Sequence, residues 1–535
     1  MFRLKKLSLQ FMSILMVAML LLVGCTKAEP EVATSSSQPA SGSQEVSSSP
    51  DDQGTTTSDQ IPKYIFLFIG DGMSFPQVTA YGFYNGTMDN NFTGTKEDPT
   101  PDNAPDAEMP SFLDFPVVGS ATTYDASKFV TDSASAATAI ACSTKTLDGM
   151  IGLDPYSNRV TSVAEKLKAD AGYNVGIVST VCLNHATPAG FYAHVPSRND
   201  YYDIALDMVA SDFDFFGGGQ VKYPTGKEGD QEDVLELAQK AGYNIADTYE
   251  EISALDSDSG KTIAMSPVVD NQSDVAINYL IDRDENEFGL STYVEKALEV
   301  MGDEEPFFIM AEGGKVDWSG HANDAYTTIL EIQDLEASVN VAVEFANEHP
   351  DETLIIVTGD HETGGFSMGF GGTEYNTYLY LLEDQKISFQ KFKEDYIEVY
   401  RENEIPFETA MQDVKEIYGL IMPDDPDAQN AEYEALILSD KEVERLKEAY
   451  AVSMIPFDDR VRDFEYKSIY SYDEHEPFQV TVTQILNNRA GLGWTTTAHT
   501  GLPVGVYASG AGASNFTGFY DNTDISKKIL ELVGL

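Results

Sequence analysis

Short and continuous apolar runs recur along the chain and are bounded by Gly, Pro or Asp. The first precedes Gly70-Asp71-Gly72, and the runs occupy residues 63–69, 174–181, 306–310, 353–358 and 504–508. Continuous apolarity is typical of strands that are covered on both faces. Helical patterns lie between the runs at residues 160–171, 293–301 and 325–347. This alternation predicts an α/β fold with a large, mostly parallel central sheet sandwiched by helices.

Residues 374–477 do not follow this pattern. They are dense in Glu, Asp, Lys and Tyr, have helical patterns at 384–402 and 439–451, and lack a buried-strand signature. We therefore expect a helical surface insertion or cap that interrupts a catalytic α/β domain formed by residues 61–373 and 478–535.

The first 60 residues have the composition of a processed and unstructured leader. Basic residues at 3, 5 and 6 precede a mostly apolar run at 7–23, as in a secretory signal. The run ends in Leu-Val-Gly-Cys, which resembles a bacterial lipobox. We expect residues 1–24 to be a lipoprotein signal peptide, Cys25 to be lipidated, and residues 25–60 to be a flexible Ser/Thr-rich tether. An ordinary signal peptide or a transmembrane anchor are the alternatives.

The chain has 33 Lys and Arg against 88 Asp and Glu, which gives a formal net charge of −55. This balance excludes a nucleic-acid binder that works through a broad basic surface, so no nucleic-acid partner is expected. Three cysteines are too few for a disulfide framework, and the sequence leaves open whether Cys142 and Cys182 are bonded. The leader and this composition together predict an acidic protein that is exported and lipid-anchored on the outer side of a bacterial cell membrane.

Polar side chains follow the predicted strands at their carboxyl ends, where ligands bind in open α/β sheets. Asp71 follows the first run, Thr187 and its neighbours follow the second, Glu312 follows the third, and Asp360-His361 follows the fourth. A single acid at such a position is usually a helix cap or a turn former. Four such positions together, two of them containing histidine, indicate a metal or catalytic site instead.

Histidine placement supports a metal site. Asp317 and His321 are four residues apart, which places them on one face of a helix, and His499 directly precedes the last predicted strand region. Mixed imidazole and carboxylate ligands suit zinc, while oxygen ligands suit magnesium or calcium. The histidines outside these clusters are interpreted as surface or structural residues: His194, His349 and His475.

A nucleophile candidate lies in the small-residue, helix-prone segment 131–139. Asp132 or Ser133 would lie near a helix N-terminus, whose amides and dipole favour an anion. The chain has no G-x-S-x-G elbow and no evident Asp-His pair to act as base, so Ser133 would need a metal to hold it as an alkoxide. By spacing alone, a simple helix cap is the stronger interpretation.

Taken together, these motifs resemble the alkaline phosphatase family from residue 63 to residue 535, excluding the insertion. Each sequence block alone is weak evidence for the family, but their occurrence in the family's order is specific. The blocks are FIGDGM at 68–73, TDSA at 131–134, ATPA at 186–189, AHVPSR at 193–198, EGG at 312–314, TGDHE at 358–362 and HTG at 499–501.

The resemblance implies a role for each matching residue. Ser133 would be the nucleophile that becomes phosphoserine, Arg198 would bind two phosphate oxygens, and Asp132 would position Arg198. Two zinc ions and one magnesium ion are expected as cofactors. The first zinc, which activates the attacking water and steadies the leaving oxygen, would be held by Asp317, His321 and His499. The second zinc, which keeps Ser133 deprotonated, would be held by Asp71, Asp360 and His361, and the magnesium-type site would be formed by Asp71, Thr187 and Glu312.

Two positions depart from part of the family. His185 stands where some members have Asp, and Trp318 stands where some have Lys. Both are expected to line the substrate site with Arg198, and His185 leaves the identity of the third metal open because it makes that site less anionic.

The expected function is hydrolysis of small phosphate monoesters to an alcohol and inorganic phosphate. A phosphodiesterase or another metal-dependent hydrolase of the same superfamily is the alternative among enzymes, and the missing Cys-x-Pro-x-Arg pattern argues against a sulfatase. A surface lipoprotein that binds phosphate or metal but has lost catalysis is the alternative outside enzymes. The oligomeric state, including a homodimer, stays open.

Overall fold

The computed structural model describes residues 61–89, 106–271, 273–470 and 475–535. The predicted signal peptide and the tether with Cys25 lie outside these residues. Within the described part of the chain, no helix is both long enough and apolar enough to cross a membrane.

Ten strands of the described residues form one sheet in the order β14-β2-β13-β8-β1-β7-β3-β4-β6-β5. Strand β13 is antiparallel to both of its neighbours, and the other pairs are parallel. The predicted large, mostly parallel sheet is therefore confirmed. Its strands are β1 Tyr64–Gly70, β2 Val117–Thr122, β3 Asn174–Ser179, β4 Phe215–Gly218, β5 Asn244–Ala246, β6 Thr262–Met265, β7 Phe307–Gly313, β8 Thr353–Gly359, β13 Val504–Gly510 and β14 Gly518–Asp521.

Four two-residue strands form two small antiparallel ladders, in which β9 pairs with β12 and β10 pairs with β11. These strands are β9 Glu362–Thr363, β10 Ser367–Met368, β11 Leu492–Gly493 and β12 His499–Thr500.

Helices connect the strands and flank the sheet. In chain order they are α1 Phe75–Asp89, α2 Ser133–Cys142, α3 Val163–Ala171, α4 Ala186–Ala189, α5 Tyr201–Ala210, α6 Val234–Lys240, α7 Tyr249–Ser253, α8 Leu290–Met301, α9 Lys315–His321, α10 Ala325–Glu348, α11 Phe389–Phe392, α12 Glu398–Asn403, α13 Phe407–Tyr418, α14 Asp440–Ser453, α15 Phe464–Tyr470, α16 Pro477–Ala490 and α17 Asp524–Val533. A π-turn covers Lys393–Ile397, and 3-10 turns cover Ser111–Asp114, Leu280–Asp282, Leu379–Asp384, Pro426–Gln429, Ala431–Leu436, Phe457–Asp459 and Ala513–Phe516.

Strand β1 shows why the apolar runs predicted the sheet. All seven of its residues are buried, and alternate side chains enter different hydrophobic clusters. Phe66 belongs to the cluster that includes α10, and Leu67 belongs to the cluster that includes α2. A strand covered on both faces has no polar alternation, which explains the continuous run.

The five apolar runs all form strands, but five further strands of the main sheet were not predicted. Strand β2 is an example, because its residues alternate between buried and more exposed positions and Val118 is 53% exposed. A short strand of this kind has no continuous apolar signature.

Residues 374–477 are helical in their described part, as predicted. The helix predicted at 384–402 begins at Phe389 and includes the π-turn, while α14 (Asp440–Ser453) matches its prediction closely. Apolar side chains of this segment, including Tyr418 and Leu446, share one hydrophobic cluster with Phe66 of β1. The segment therefore packs against the body through a common core.

Candidate metal and phosphate site

Three carboxylates meet at the carboxyl ends of adjacent strands. The register aligns Gly70 with Gly313 on one side and with Gly359 on the other, so Asp71, Glu312 and Asp360 lie close to these aligned positions. All three carboxylates are fully buried. Gly72 turns the chain at φ +73°, and a Cβ there would lie 2.9 Å from the Cα atom of Asp317, so this turn requires glycine.

One group of candidate ligands surrounds His361. Its Nε2 atom lies 3.1 Å from Asp71 Oδ1 and 3.4 Å from Asp360 Oδ2. The other oxygen of Asp360 accepts hydrogen bonds from the backbone N–H groups of Gly72 and His361. Asp71, Asp360 and His361, which the sequence predicted as one ligand set, therefore lie together and can each offer one ligand atom.

A second group forms around helix α9 (Lys315–His321). The Nε2 atom of His321 lies 3.3 Å from Asp317 Oδ2 and 3.1 Å from His499 Nε2. The Nδ1 atoms of His321 and His499 face the carbonyl oxygens of Thr497 and Thr131 at 2.6 and 2.8 Å. A ring whose Nδ1 bonds a carbonyl keeps Nε2 available for a metal.

The two groups touch each other. The rings of His361 and His499 stack with centroids 3.7 Å apart, and Asp317, His361 and His499 can also offer ligand atoms to one ion. The two predicted zinc sets are therefore neighbours, as paired metal sites require.

The third predicted set also lies together. Thr187 Oγ1 donates to Asp71 Oδ2 at 3.4 Å, and Ser179 Oγ donates to Glu312 Oε2 at 2.5 Å. His185 joins Asp71 and Glu312 as a third group that can offer a ligand atom. Only Ser179 among these residues was not predicted.

The pKa values of the site carboxylates are shifted in different directions. Burial, followed by the charge of Asp317, raises the pKa of Asp71 to about 7, and burial with the charge of Asp71 raises the pKa of Glu312 to about 8. Burial and Asp71 also raise the pKa of Asp360. For Asp317, burial acts in the same direction, but His321 and His499 outweigh it and lower the pKa.

Several ligand atoms of the site have no hydrogen-bond partner among the described residues: Asp71 Oδ1, Glu312 Oε1, Asp360 Oδ2 and His185 Nδ1. Buried polar atoms are normally paired, and a buried carboxylate without a cation is costly. This donor set fits metal ions.

The predicted nucleophile begins helix α2 (Ser133–Cys142). Asp132 is its N-cap residue and accepts a hydrogen bond from the backbone N–H of Ser135 at 3.0 Å. Ser133 is buried, and its Oγ atom lies 3.2 Å from His361 Nε2. The hydroxyl therefore lies beside the candidate metal ligands and at a helix end that favours an anion.

Asp132, the residue before Ser133, also binds Arg198. The Nη1 atom of Arg198 donates to Asp132 Oδ2 at 3.0 Å, while Asp132 Oδ1 accepts from the backbone N–H of Gly149 at 3.1 Å. Burial alone would raise the pKa of Asp132, but Arg198 and these hydrogen bonds outweigh it and hold the pKa well below its ordinary value. The pair orients a guanidinium that can bind two oxygens of a phosphate.

A cavity of about 390 Å³ opens beside these groups. His185 and Trp318 line it, with their rings edge to face and centroids 5.8 Å apart. Arg198 and His321 also line it, so the three residues predicted to line the substrate site, His185, Trp318 and Arg198, meet at one cavity. The insertion supplies part of the wall through Phe389, Gln390, Lys393, Glu394 and His475.

Some residues of the site carried no signal in the sequence. Thr363 Oγ1 donates to Asp317 Oδ1 and lies 3.4 Å from His361 Nδ1, yet a threonine two residues after a histidine has no distinctive pattern. His194 is structural as predicted, since its ring nitrogens meet Gly152 O and Glu165 Oε1. His475 is half-buried, lines the cavity and has a pKa lowered to about 3 by desolvation and the charge of His321. Cys142 and Cys182 are buried free thiols.

Comparison with known proteins shows the family of this chain. The alkaline phosphatase family model matches residues 62–535. Alkaline phosphatase 3 of Bacillus subtilis is 28% identical over 481 residues, covering 88% of each chain. The cold-active alkaline phosphatase of a psychrophilic Shewanella species is 27% identical with a TM-score of 0.67, covering 88% of this chain and all of the other.

A third relative is a histidine-to-glutamate mutant of the alkaline phosphatase from the Antarctic bacterium TAB5, solved with magnesium bound in its M3 site. It is 25% identical with a TM-score of 0.56, covering 89% of this chain and 98% of the other. Since the family model spans the whole described body and the ligand residues converge at one end of its sheet, the chain belongs to the alkaline phosphatase family.

Proposed function

We propose that the protein hydrolyses phosphate monoesters to an alcohol and inorganic phosphate through a phosphoserine at Ser133. One observation carries the proposal. The Ser133 hydroxyl lies at the N-terminus of α2 and 3.2 Å from the Nε2 atom of His361, and the preceding residue, Asp132, binds the Arg198 guanidinium at 3.0 Å. A buried serine hydroxyl is thus placed beside candidate metal ligands and next to the residue that orients Arg198.

The chain's own residues account for binding and for the covalent step. Arg198 would bind two oxygens of the phosphoryl group and hold the phosphorus in line with Ser133 Oγ. Ser133 Oγ loses its proton and attacks phosphorus, the ester P–O bond breaks, and the alcohol leaves with its oxygen and takes up one proton. Water then gives up a proton and attacks the phosphoserine, the bond to Ser133 Oγ breaks, Ser133 Oγ takes up a proton, and inorganic phosphate is released.

Three metal ions fit the donor atoms, and we assign two as zinc and one as magnesium. Asp317, His321 and His499 would hold the first zinc, and Asp71, Asp360 and His361 would hold the second. When bound, such ions neutralise charge on the phosphoryl group and lower the pKa of coordinated hydroxyls. Asp71, Thr187 and Glu312 would hold magnesium, and the magnesium in the M3 site of the TAB5 mutant supports a third site of this kind.

The experiment compares turnover of 4-nitrophenyl phosphate, bis(4-nitrophenyl) phosphate and 4-nitrophenyl sulfate, each with and without chelator. We expect the monoester to be turned over fastest and the chelator to abolish turnover. A preference for the diester or the sulfate would favour the related hydrolases, and no turnover with metals present would favour a phosphate-binding lipoprotein.

Two variants test the roles of the residues. Ser133→Ala should abolish both the initial burst of alcohol release and the steady-state turnover, because no phosphoserine can form. Arg198→Ala should still form the phosphoserine but bind phosphate more weakly. Mass spectrometry that found the phosphoryl group on another residue would contradict the nucleophile assignment.

We also propose that the protein is exported and anchored by a lipid on Cys25 at the outer side of the cell membrane. The charged, apolar and Leu-Val-Gly-Cys order of the first 25 residues supports this proposal. A Cys25→Ala protein should move from the membrane fraction to the soluble fraction, and an unchanged membrane fraction would contradict the anchor.

A further inference from the structure

The cavity beside the candidate site contains two lysines that the proposed phosphoryl chemistry does not use. Among the described residues that line it, the cations are Arg198, Lys222 and Lys393, and the acids are Asp274 and Glu394. Arg198 is paired with Asp132 and Lys222 with Asp274, so Lys393 is the lining cation that forms no salt bridge within the described residues. A cation of this kind in a cavity favours an anionic ligand there.

The two lysines belong to different parts of the chain. Lys222 follows strand β4 (Phe215–Gly218) and lines the cavity together with His185 and Arg198. Lys393 instead belongs to the insertion and lines the same cavity together with His475 and His321. In the proposed function, His321 belongs to the zinc set on the side of the leaving oxygen, so we expect the insertion wall with Lys393 to face the alcohol part of a bound ester.

The lysines also differ in their partners. Lys222 Nζ lies 3.4 Å from Asp274 Oδ1 and 4.9 Å from the ring centroid of Tyr201. Lys393 is half-buried in the π-turn and forms no salt bridge within the described part of the chain, while Glu394 accepts a hydrogen bond from Gln390. The charge of Lys393 is therefore available to a ligand.

Part of the lining of this cavity is aromatic. Tyr279 and Phe389 pack edge to face with centroids 5.4 Å apart, and Trp318 packs against the same small cluster. An alcohol part with hydrocarbon atoms next to the ester oxygen and an anionic group farther out would match both features.

We infer that this cavity selects phosphate monoesters whose alcohol part carries a second anionic group, and that Lys393 is the residue that recognises this group. The inference rests on the proposed function and adds a substrate class to it. A partly exposed ion pair of this kind changes affinity moderately rather than switching activity on and off.

The test uses two substrates that differ in one group, phenyl phosphate and 4-carboxyphenyl phosphate. In the Lys393→Gln protein, the ratio of kcat/KM for the carboxylated ester to that for phenyl phosphate should fall about fivefold relative to wild type. The matched control is Lys391→Gln, because Lys391 is an exposed lysine two residues earlier that lies outside this cavity. The control should keep the wild-type ratio.

A second variant reverses the charge. Lys393→Glu should lower the same ratio further and raise the ratio of phosphocholine to phenyl phosphate, since phosphocholine has a cationic alcohol part. An unchanged ratio in both Lys393 variants, or an equal change in the Lys391 control, would overturn the inference. Failure of wild type to turn over phenyl phosphate with metals present would instead overturn the proposed phosphatase function, so the two failures are distinguishable.

Discussion

Two buried groups of acidic residues in this protein balance their charge in different ways. The first group, the site carboxylates, consists of Asp71, Glu312 and Asp360. They face each other at full burial, each has a raised pKa, and each keeps one oxygen without a hydrogen bond.

The second group consists of Asp334 and Asp270. These two acids form buried ion pairs with Arg283 and Lys315, respectively. Arg283 donates to both oxygens of Asp334 at 2.8 and 3.0 Å. Lys315 Nζ lies 2.8 Å from Asp270 Oδ2, and neither side chain of that pair is more than 4% exposed. Here the chain supplies its own cations.

The difference between the two groups indicates how the role of a buried acid can be inferred from its partners. A carboxylate that pairs with Arg or Lys is complete within the fold, and its role is structural until other observations say otherwise. Carboxylates that share a pocket with each other and with histidines are incomplete without an added cation. We therefore expect the two groups to respond in opposite ways to metal removal and to neutralisation.

The largest expected effect is that of metal removal. Dialysis against a chelator should lower phosphate monoester turnover by about 1,000-fold or more, because the site carboxylates lose the cations that would neutralise the phosphoryl charge. The near-ultraviolet circular dichroism should keep its folded signature, since the buried ion pairs need no metal. Turnover that survives complete removal of zinc and magnesium would contradict the metal assignment.

Neutralising one acid in each group should change stability in opposite directions. Asp334→Asn leaves Arg283 buried without its partner and should lower the free energy of unfolding by about 3 kcal/mol. Asp71→Asn should raise that free energy in the metal-free protein by about 1 kcal/mol or more, because it removes a charge that its neighbours disfavour. Urea denaturation of the metal-free proteins at pH 8 measures both. Changes of the same sign would show that the two groups do not differ.

The pH dependence of stability should also reveal the site carboxylates. The pKa of Asp71 rises from 3.8 to about 7 in the folded, metal-free protein, so the folded state holds a proton that the unfolded state has lost. The contribution of Asp71 to the free energy of unfolding is complete below about pH 4, and it is lost as the pH rises through about 7.

We expect the metal-free wild type to lose about 2 kcal/mol more than Asp71→Asn between about pH 5 and pH 8. Burial and the charge of Asp334 also raise the pKa of Glu331 to about 7. The titration of Glu331 therefore lowers the free energy of unfolding of both proteins over the same pH range. Parallel curves for the two proteins would contradict the raised pKa of Asp71.

The smallest expected effect concerns the third site. His185→Asp adds a negative charge beside Asp71 and Glu312 and should lower the magnesium concentration for half-saturation about tenfold. Isothermal titration with magnesium measures binding independently of turnover. If the titration matches wild type, His185 does not contribute to this site.

Much of the site could be predicted because its residues have strong local constraints. The buried strands needed continuous apolar runs, and Asp71 and Asp360 directly follow two of them, where a glycine such as Gly72 allows the turn. Asp317 and His321 were predictable as neighbours because one helical turn separates them.

Other features could not be predicted because they depend on contacts between distant segments. His475 was interpreted as a surface or structural residue, yet the packing of the insertion brings it to the cavity beside His321. Strand β13 carries the same continuous apolar signature as the parallel strands β1, β3, β7 and β8, so its antiparallel direction was not visible in the run itself.

The sequence by itself determined the α/β class, the strands with continuous apolar runs and the types of ligand residues that follow them, because these features depend on neighbours within one element. Only the tertiary structure decided which acids share a pocket without a cation, which acids pair with Arg283 or Lys315, and which insertion residues face the cavity. Charge balance and cavity shape depend on distances across strands and segments that are far apart in the chain, and no local pattern encodes those distances.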